Sequence, residues 1–256
     1  MARTIIDVHS HIGHTITSGV GQKVDDWMTL MRSSGVGQAI LSVAAGGLQS
    51  GGIEDTRRAN DGIAAAVAAH PELFPLGLAS IEVRHGAAGA AEVGRAFDEL
   101  GLNGLAFHAT FEGFSVDSPA FDAVLAAVGD RRGLVLLHST PDAKASPSAI
   151  AAVAGRYPNL VFVMGHPVFS EGQRADAVSA VLAHPNLHLD VAYQAEASTT
   201  EFFVREVGSA RVFFGSDAPF FAPADVIRSI EQADITEADR DAIFSGNATA
   251  LIASLR

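Results

Sequence analysis

Short apolar, β-branched runs alternate with Ala-rich amphipathic stretches along the whole chain. The runs are TIIDVH, QAILSVA, LFPLGLAS, GLAFH, GLVLLH, NLVFVMGH, NLHLDVAY and RVFFGSD, beginning near residues 4, 38, 73, 104, 133, 159, 186 and 211. Most are apolar at successive rather than alternate positions, which is the pattern of parallel strands covered by helices. Between them, VDDWMTLMRSSG, TRRANDGIAAAVAAHP and SPAFDAVLAAVGDRRG read as helices that stop at Gly or just before Pro. The strands recur about every 30 residues, the length of one βα unit. Eight such units predict an α/β fold, a single (β/α)8 TIM-type barrel over residues 1–256, with an open doubly wound sheet as the other arrangement. The tail TEADRDAIFSGNATALIASL predicts two short helices that close the fold.

Composition narrows the setting. Of the 256 residues 48% are hydrophobic and 18% charged, enough for a full core and unlike a disordered chain. No apolar run approaches the roughly 18 residues of a membrane span, and MARTIIDVHS leads straight into a strand without a signal-peptide pattern. The chain has no cysteine, so disulfides and thiolate ligands are excluded, and the cytoplasm is the default compartment. A formal charge of −12 disfavours nucleic acid and anionic membrane surfaces as partners. The expected partner is a small-molecule substrate, with a homo-oligomer left open.

The polar residues that close the runs form a pattern of their own. His9 and His11 end the first, His108 the fourth, His138 the fifth, His166 the sixth and Asp217 the eighth. His9 and His11 lie two apart in a strand and share a face. In a parallel barrel all these ends open on one rim, where active sites of that architecture lie. A single His closing a strand is more often a hydrogen-bonded residue than a ligand. Five His and one Asp on one rim read as a metal site. His70 and His184 precede prolines at helix ends and read as caps, and His85 and His188 as structural. His14 follows the motif closely enough to line a pocket.

The chain also resembles the amidohydrolase superfamily, specifically the amidohydrolase-related branch that includes aminocarboxymuconate-semialdehyde decarboxylase. The resemblance rests on DVHSHIG, LLHST, VFVMGHP, FFGSDAPF and SGNATALI, from residue 7 to about 252, and on NDGIAAAVAAHPELFPLGLASI. It implies that His9, His11, His138 and Asp217 ligate a metal and that His166 is a catalytic histidine beside it. GLAFHA is less diagnostic, which makes His108 a pocket residue in this reading.

Three His and one Asp suit one divalent ion, zinc first, with manganese, iron or cobalt as alternatives, and leave room for water. The resemblance implies that a second ion would need a bridging lysine or glutamate at the end of the fourth strand; neither Lys23 nor Lys144 is placed there, so one ion is expected. A metal lowers the pKa of its water toward about 7. Asp217 would move the proton and His166 orient the water or polarise a carbonyl. The first expectation is therefore hydrolysis of a small amide, lactone or ester. The alternative is non-oxidative decarboxylation of a small carboxylic acid, either a β-oxo acid or an aromatic, phenolic one. That reaction calls for a cation to hold a carboxylate, and Arg57, Arg58, Arg84 and Lys144 are the candidates. Phe111, Phe114, Phe169, Phe220 and Phe221 fall in rim loops and suit an apolar or aromatic guest, or else simply cover the barrel top. A third reading, a non-catalytic metal-binding barrel, requires His108 or His166 to complete the metal shell.

Overall fold

A computed structural model of the chain describes residues 3–14, 19–44, 51–193 and 196–256. The elements run β1 (Ile5–His14), β2 (Gly21–Gln22), α1 (Val24–Ser34), β3 (Val36–Val43), α2 (Ile53–Ala69), α3 (Ala87–Asp98) and β4 (Gly104–Phe107). They continue with α4 (Ala109–Glu112), α5 (Pro119–Ala126), β5 (Gly133–His138), α6 (Pro147–Arg156), β6 (Leu160–Gly165), α7 (Glu171–Ala183) and β7 (Leu187–Asp190). The chain ends with α8 (Ala197–Val207), β8 (Val212–Phe213), α9 (Pro223–Gln232), α10 (Glu237–Asp241) and α11 (Asn247–Leu255). Helix starts are specified locally: Ser118, Ser146 and Ser170 each accept a backbone N–H three residues on, and α5 and α6 carry Pro in the first turn. The tail is a helical run interrupted by a π-turn at Ala242–Gly246, rather than two separate helices.

The architecture is α/β with parallel pairing. One sheet has the order β2-β1-β3, with β1 and β3 parallel and β2 a short antiparallel addition; the other runs β4-β5-β6-β7-β8, all parallel. The expected third strand is not a regular ladder. Pro75 has no N–H to give, so residues 73–79 pair only through isolated bridges, Leu41 with Gly77 and Ala79 with Leu105. Backbone bonds nevertheless run to both neighbours: Leu78 N–H to Leu41 O at 2.8 Å, and Ala106 N–H to Ala79 O at 2.9 Å. At the other border Ser10 bridges Ala218, and Val8 N–H donates to Phe214 O at 3.0 Å.

Both faces of the strands are buried, which accounts for their continuous apolar runs. Leu105, Phe107, Val135, Leu137, Phe162 and Met164 pack outward against the helices. The intervening residues, among them Val8, Ile40, Leu78, Ala106, Leu136, Val163 and Phe213, form a second cluster with Leu251 and Ile252 of α11. Among the described residues no helix is long and apolar enough to cross a membrane.

Candidate metal centre

Residues from three distant parts of the chain meet at the C-terminal ends of the strands. His9, His11, His138 and Asp217 are buried, and their donor atoms all lie within 4.8 Å of one another. His9 Nε2 is 2.8 Å from His138 Nε2 and 3.4 Å from Asp217 Oδ1. His11 Nε2 is 3.1 Å from Asp217 Oδ1 and 3.3 Å from His138 Nε2. Metal bonds of about 2.0–2.2 Å place neighbouring donors about 3.0–3.5 Å apart. The spacing fits a single ion.

The outer nitrogens identify which ring atoms face the centre. Phe107 O can only accept, so His138 donates Nδ1–H to it at 2.8 Å and turns a bare Nε2 inward. Asp190 Oδ2 takes Nδ1–H of His9 at 2.7 Å, and Ser42 Oγ lies 2.6 Å from His11 Nδ1. Two Nε2 atoms 2.8 Å apart in a buried site need a proton or a metal cation between them. A divalent metal meets that need, with Asp217 as the anionic donor. Carboxylate or carbonyl partners on the outer nitrogen are the usual support of metal-binding histidines.

Electrostatics agree with this assignment. Burial opposes charge on His9, but Asp190 and Asp217 outweigh it and lift the imidazole to about 10. Burial, helped by charge on His9, holds His11 below its ordinary value and His138 well below it. Burial works against ionised Asp217 as well, yet His9 and His11 keep its carboxyl well below the usual range. His11 and His138 are thus neutral nitrogens and Asp217 an ionised oxygen, whereas His9 holds a proton in the metal-free chain that a bound cation would displace.

Close backbone approach makes the site compact. A Cβ on Gly165 would come within 2.9 Å of His9 Cε1, and one on Gly215 within 2.8 Å of His9 Cβ. The glycines in MGH and FFGSD thus admit the His9 ring. Asp7 braces the same turn, accepting from His9 N, Ser216 N and Ser216 Oγ at 2.9, 3.1 and 2.5 Å. His166, Tyr193 and Asp217 have φ of 39°, 66° and 61°, the positive-φ residues other than glycine among those described. Such backbone costs about 1–3 kcal/mol per residue and concentrates at functional sites. All three line one cavity.

That cavity, about 220 Å3, opens over the metal donors. Three of the donors, His11, His138 and Asp217, line it together with His108, His166 and five aromatic rings, Phe111, Phe169, Tyr193, Phe220 and Phe221. His166 Nε2 lies 3.8 Å from Asp217 Oδ2, the oxygen turned away from His9 and His11, while His166 Nδ1 is buried without a hydrogen-bond partner. His108 stacks on Phe111 at 3.9 Å and stands outside the four-donor cluster. Burial, with His166 nearby, lowers His108 to about 3.

The other sequence candidates fall elsewhere. His14 is exposed at the end of β1. Arg57 pairs with Glu54 at 2.7 Å and faces Glu92, Arg58 pairs with Asp55, and Arg84 pairs with Glu82 at 2.5 Å. None of these, nor Lys144, lines the cavity over the metal donors. Phe114 is 7% exposed and stacks on Phe121 in the core, so it is no pocket wall. Asp190 and Ser42, which touch the outer nitrogens of His9 and His11, and Tyr193, which lines the cavity, are not among the sequence candidates.

The family model described as Amidohydrolase matches residues 6–253. The chain belongs to the amidohydrolase family. Comparison with curated protein sequences returns no match. Among solved structures, 5-carboxyvanillate decarboxylase from Sphingomonas paucimobilis is 18% identical, covers 98% of this chain and 99% of its own, and superposes with a TM-score of 0.78. The 2,6-dihydroxybenzoate decarboxylase from Rhizobium is 20% identical over 99% of each chain, with a TM-score of 0.76. A dihydroxybenzoic acid decarboxylase from Polaromonas sp. JS666, crystallised with manganese and 2-nitroresorcinol, is 22% identical over 100% of this chain and 98% of its own, with a TM-score of 0.74. At these identities the likeness is one of fold.

Proposed function

We propose that this amidohydrolase is a metal-dependent, non-oxidative decarboxylase of a small aromatic carboxylic acid, built as a closed (β/α)8 barrel with residues 73–79 as its irregular third strand. The observation that carries the reading is the cavity of about 220 Å3 walled by five aromatic rings directly over Asp217 and His166. Such walls suit a flat ring. The resemblance to enzymes that remove CO2 from hydroxylated benzoates points the same way. Hydrolysis of an amide, lactone or ester, the first expectation from sequence, does not call for an aromatic enclosure. Zinc was the metal expected first; the manganese in the Polaromonas structure makes Mn2+ an equal candidate.

A divalent cation on His9, His11, His138 and Asp217 supplies Lewis-acid charge that neutralises and orients a substrate carboxylate. The aromatic walls hold the ring and exclude water. Asp217 is ionised in the free site, with Oδ1 toward His9 and His11; in the substrate complex its Oδ2, beside His166, takes up the proton that the reaction needs. Delivered to the ring carbon that bears the carboxylate, this proton lets the C–C bond break, with its electron pair returning to the ring and CO2 departing. His166 returns a proton from solvent to Asp217 Oδ2.

The test is incubation of Mn2+- and Zn2+-loaded protein with hydroxybenzoates, lactones and amides, following CO2 and pH together. We expect CO2 release from a hydroxybenzoate, and in D2O one deuteron on the vacated carbon. Acid production from a lactone or amide without CO2 release would restore the hydrolytic reading.

A further inference from the structure

The cavity over the metal donors is unusual in what it lacks. No Arg or Lys lines it among the described residues, and the segments outside the description contain neither residue in sequence. The nearby arginines are committed elsewhere, Arg57 to Glu54 and Glu92, and Arg84 to Glu82. Apart from histidines, Asp217 brings the one carboxyl group in the lining. His108 accepts the Phe111 N–H on Nδ1 at 3.4 Å, so Nε2–H is the donor it can present to an uncharged hydroxyl or carbonyl. The rest of the wall is aromatic.

We infer that the pocket selects aromatic acids bearing one negative group: a single carboxylate directed at the metal donors, with every other ring substituent uncharged. This rests on the decarboxylase reading and goes further, because it excludes dicarboxylates. A second carboxylate on the ring would leave water for a wall of Phe and Tyr with no cation to pair it. Desolvating an unpaired ion is costly. The metal offsets one such charge, and no group in the lining offsets another. A chain with formal charge −12 adds a long-range bias in the same direction.

The test is equilibrium binding to metal-loaded protein of three acids that share one ring: 2-hydroxybenzoate, its 5-carbamoyl derivative and its 5-carboxy derivative. The carbamoyl compound matches the dicarboxylate in shape without the second charge. We expect it to bind within about threefold of 2-hydroxybenzoate, and the dicarboxylate at least about tenfold more weakly than the carbamoyl compound. Phe169→Arg, at a wall residue 41% exposed and so tolerant of substitution, should narrow that gap by about tenfold. Equal binding of the dicarboxylate and the carbamoyl acid overturns the inference, as does a gap that Phe169→Arg leaves unchanged. Selective binding without CO2 release from any hydroxybenzoate removes the decarboxylase reading and leaves the selectivity standing. CO2 release from mono- and dicarboxylates with equal efficiency does the reverse. Failure of all three acids to bind removes both.

Discussion

Asp217 combines two tasks that a substitution separates. Its Oδ1 faces His9 and His11, and its Oδ2 faces His166. Asp217→Asn keeps an oxygen donor and loses the proton carrier, so metal content should stay near one equivalent while turnover falls about 100-fold or more. Metal analysis beside a CO2 assay decides it, and near-normal turnover with metal bound would remove the acid–base role. His166→Asn should likewise retain metal and lose turnover; an emptied site would instead make His166 a ligand. Glu112 gives a pH prediction. Its Oε1 accepts the His108 N–H at 2.7 Å and its buried Oε2 has no hydrogen-bond partner. Burial, opposed by that N–H and reinforced by Glu82, lifts its carboxyl from 4.5 to about 8. Between those values the folded chain keeps a proton that the unfolded chain releases, so this group makes stability fall as pH rises from about 4.5 to 8. Glu112→Gln should therefore be more stable than the parent at pH 9 and nearly equal to it at pH 4.5, measured by urea unfolding; parallel pH curves would contradict the shift. The candidate ligands are legible in sequence only as a set, because five imidazoles and a carboxylate closing apolar runs on one rim have few structural explanations; which four group together is what the family resemblance implies. Arg57 also faces Glu92, a partner that only packing sets, whereas its pair with Glu54 and that of Arg84 with Glu82 join residues close in sequence.

At the scale of the element, continuous apolar runs identify strands because both strand faces are buried here, and they fail where backbone chemistry intervenes. LFPLGLAS has the right composition, but Pro75 interrupts its ladder and leaves isolated bridges. RVFFGSD yields only the short β8, because the chain after Phe213 bends around His9 at Gly215 and turns through Asp217 with φ of 61°. β7 shows what periodicity leaves out. Asp190 ends NLHLD in the manner of the ligand-bearing runs, yet the sequence does not show that it faces His9. In the fold it receives His9 Nδ1–H on Oδ2, and the His166 and Ala192 N–H groups on Oδ1. It holds the ring of His9 and the backbone of His166 from a single strand end. Asp190→Asn should lower metal affinity by about 10–100-fold with little change in secondary structure. Competition with a chromophoric chelator measures this, and unchanged affinity would mean that packing alone orients His9.

At the scale of the molecule, the donors join parts of the structure that backbone ladders connect only weakly. His9 and His11 come from the β2-β1-β3 sheet, while His138 belongs to the five-stranded sheet and Asp217 follows its last strand. At that border the strands meet through the Ser10–Ala218 bridge and a few backbone bonds, including Asp217 N–H to His9 O at 2.8 Å. One ion on these four residues is therefore a cross-link between the sheets as well as a reactive centre. It binds the folded chain, whereas unfolding scatters donors as far apart as residues 9 and 217. Free metal at 100 times its Kd should stabilise the fold by about 2.7 kcal/mol. For a chain of this size that is an increase in Tm of about 5–10 °C. Chelation followed by desalting should reverse the gain, and readdition should restore it with an end point at one equivalent per chain. Hydrogen exchange should locate the effect, with amides along β1 and residues 214–218 losing protection in the metal-free protein before those of β5 and β6. Uniform loss of protection, or a Tm indifferent to saturating Zn2+ and Mn2+, would show that the two sheets hold together without the ion. A second tightly held equivalent, lost in His108→Ala, would place His108 among the ligands and replace the single centre with a pair.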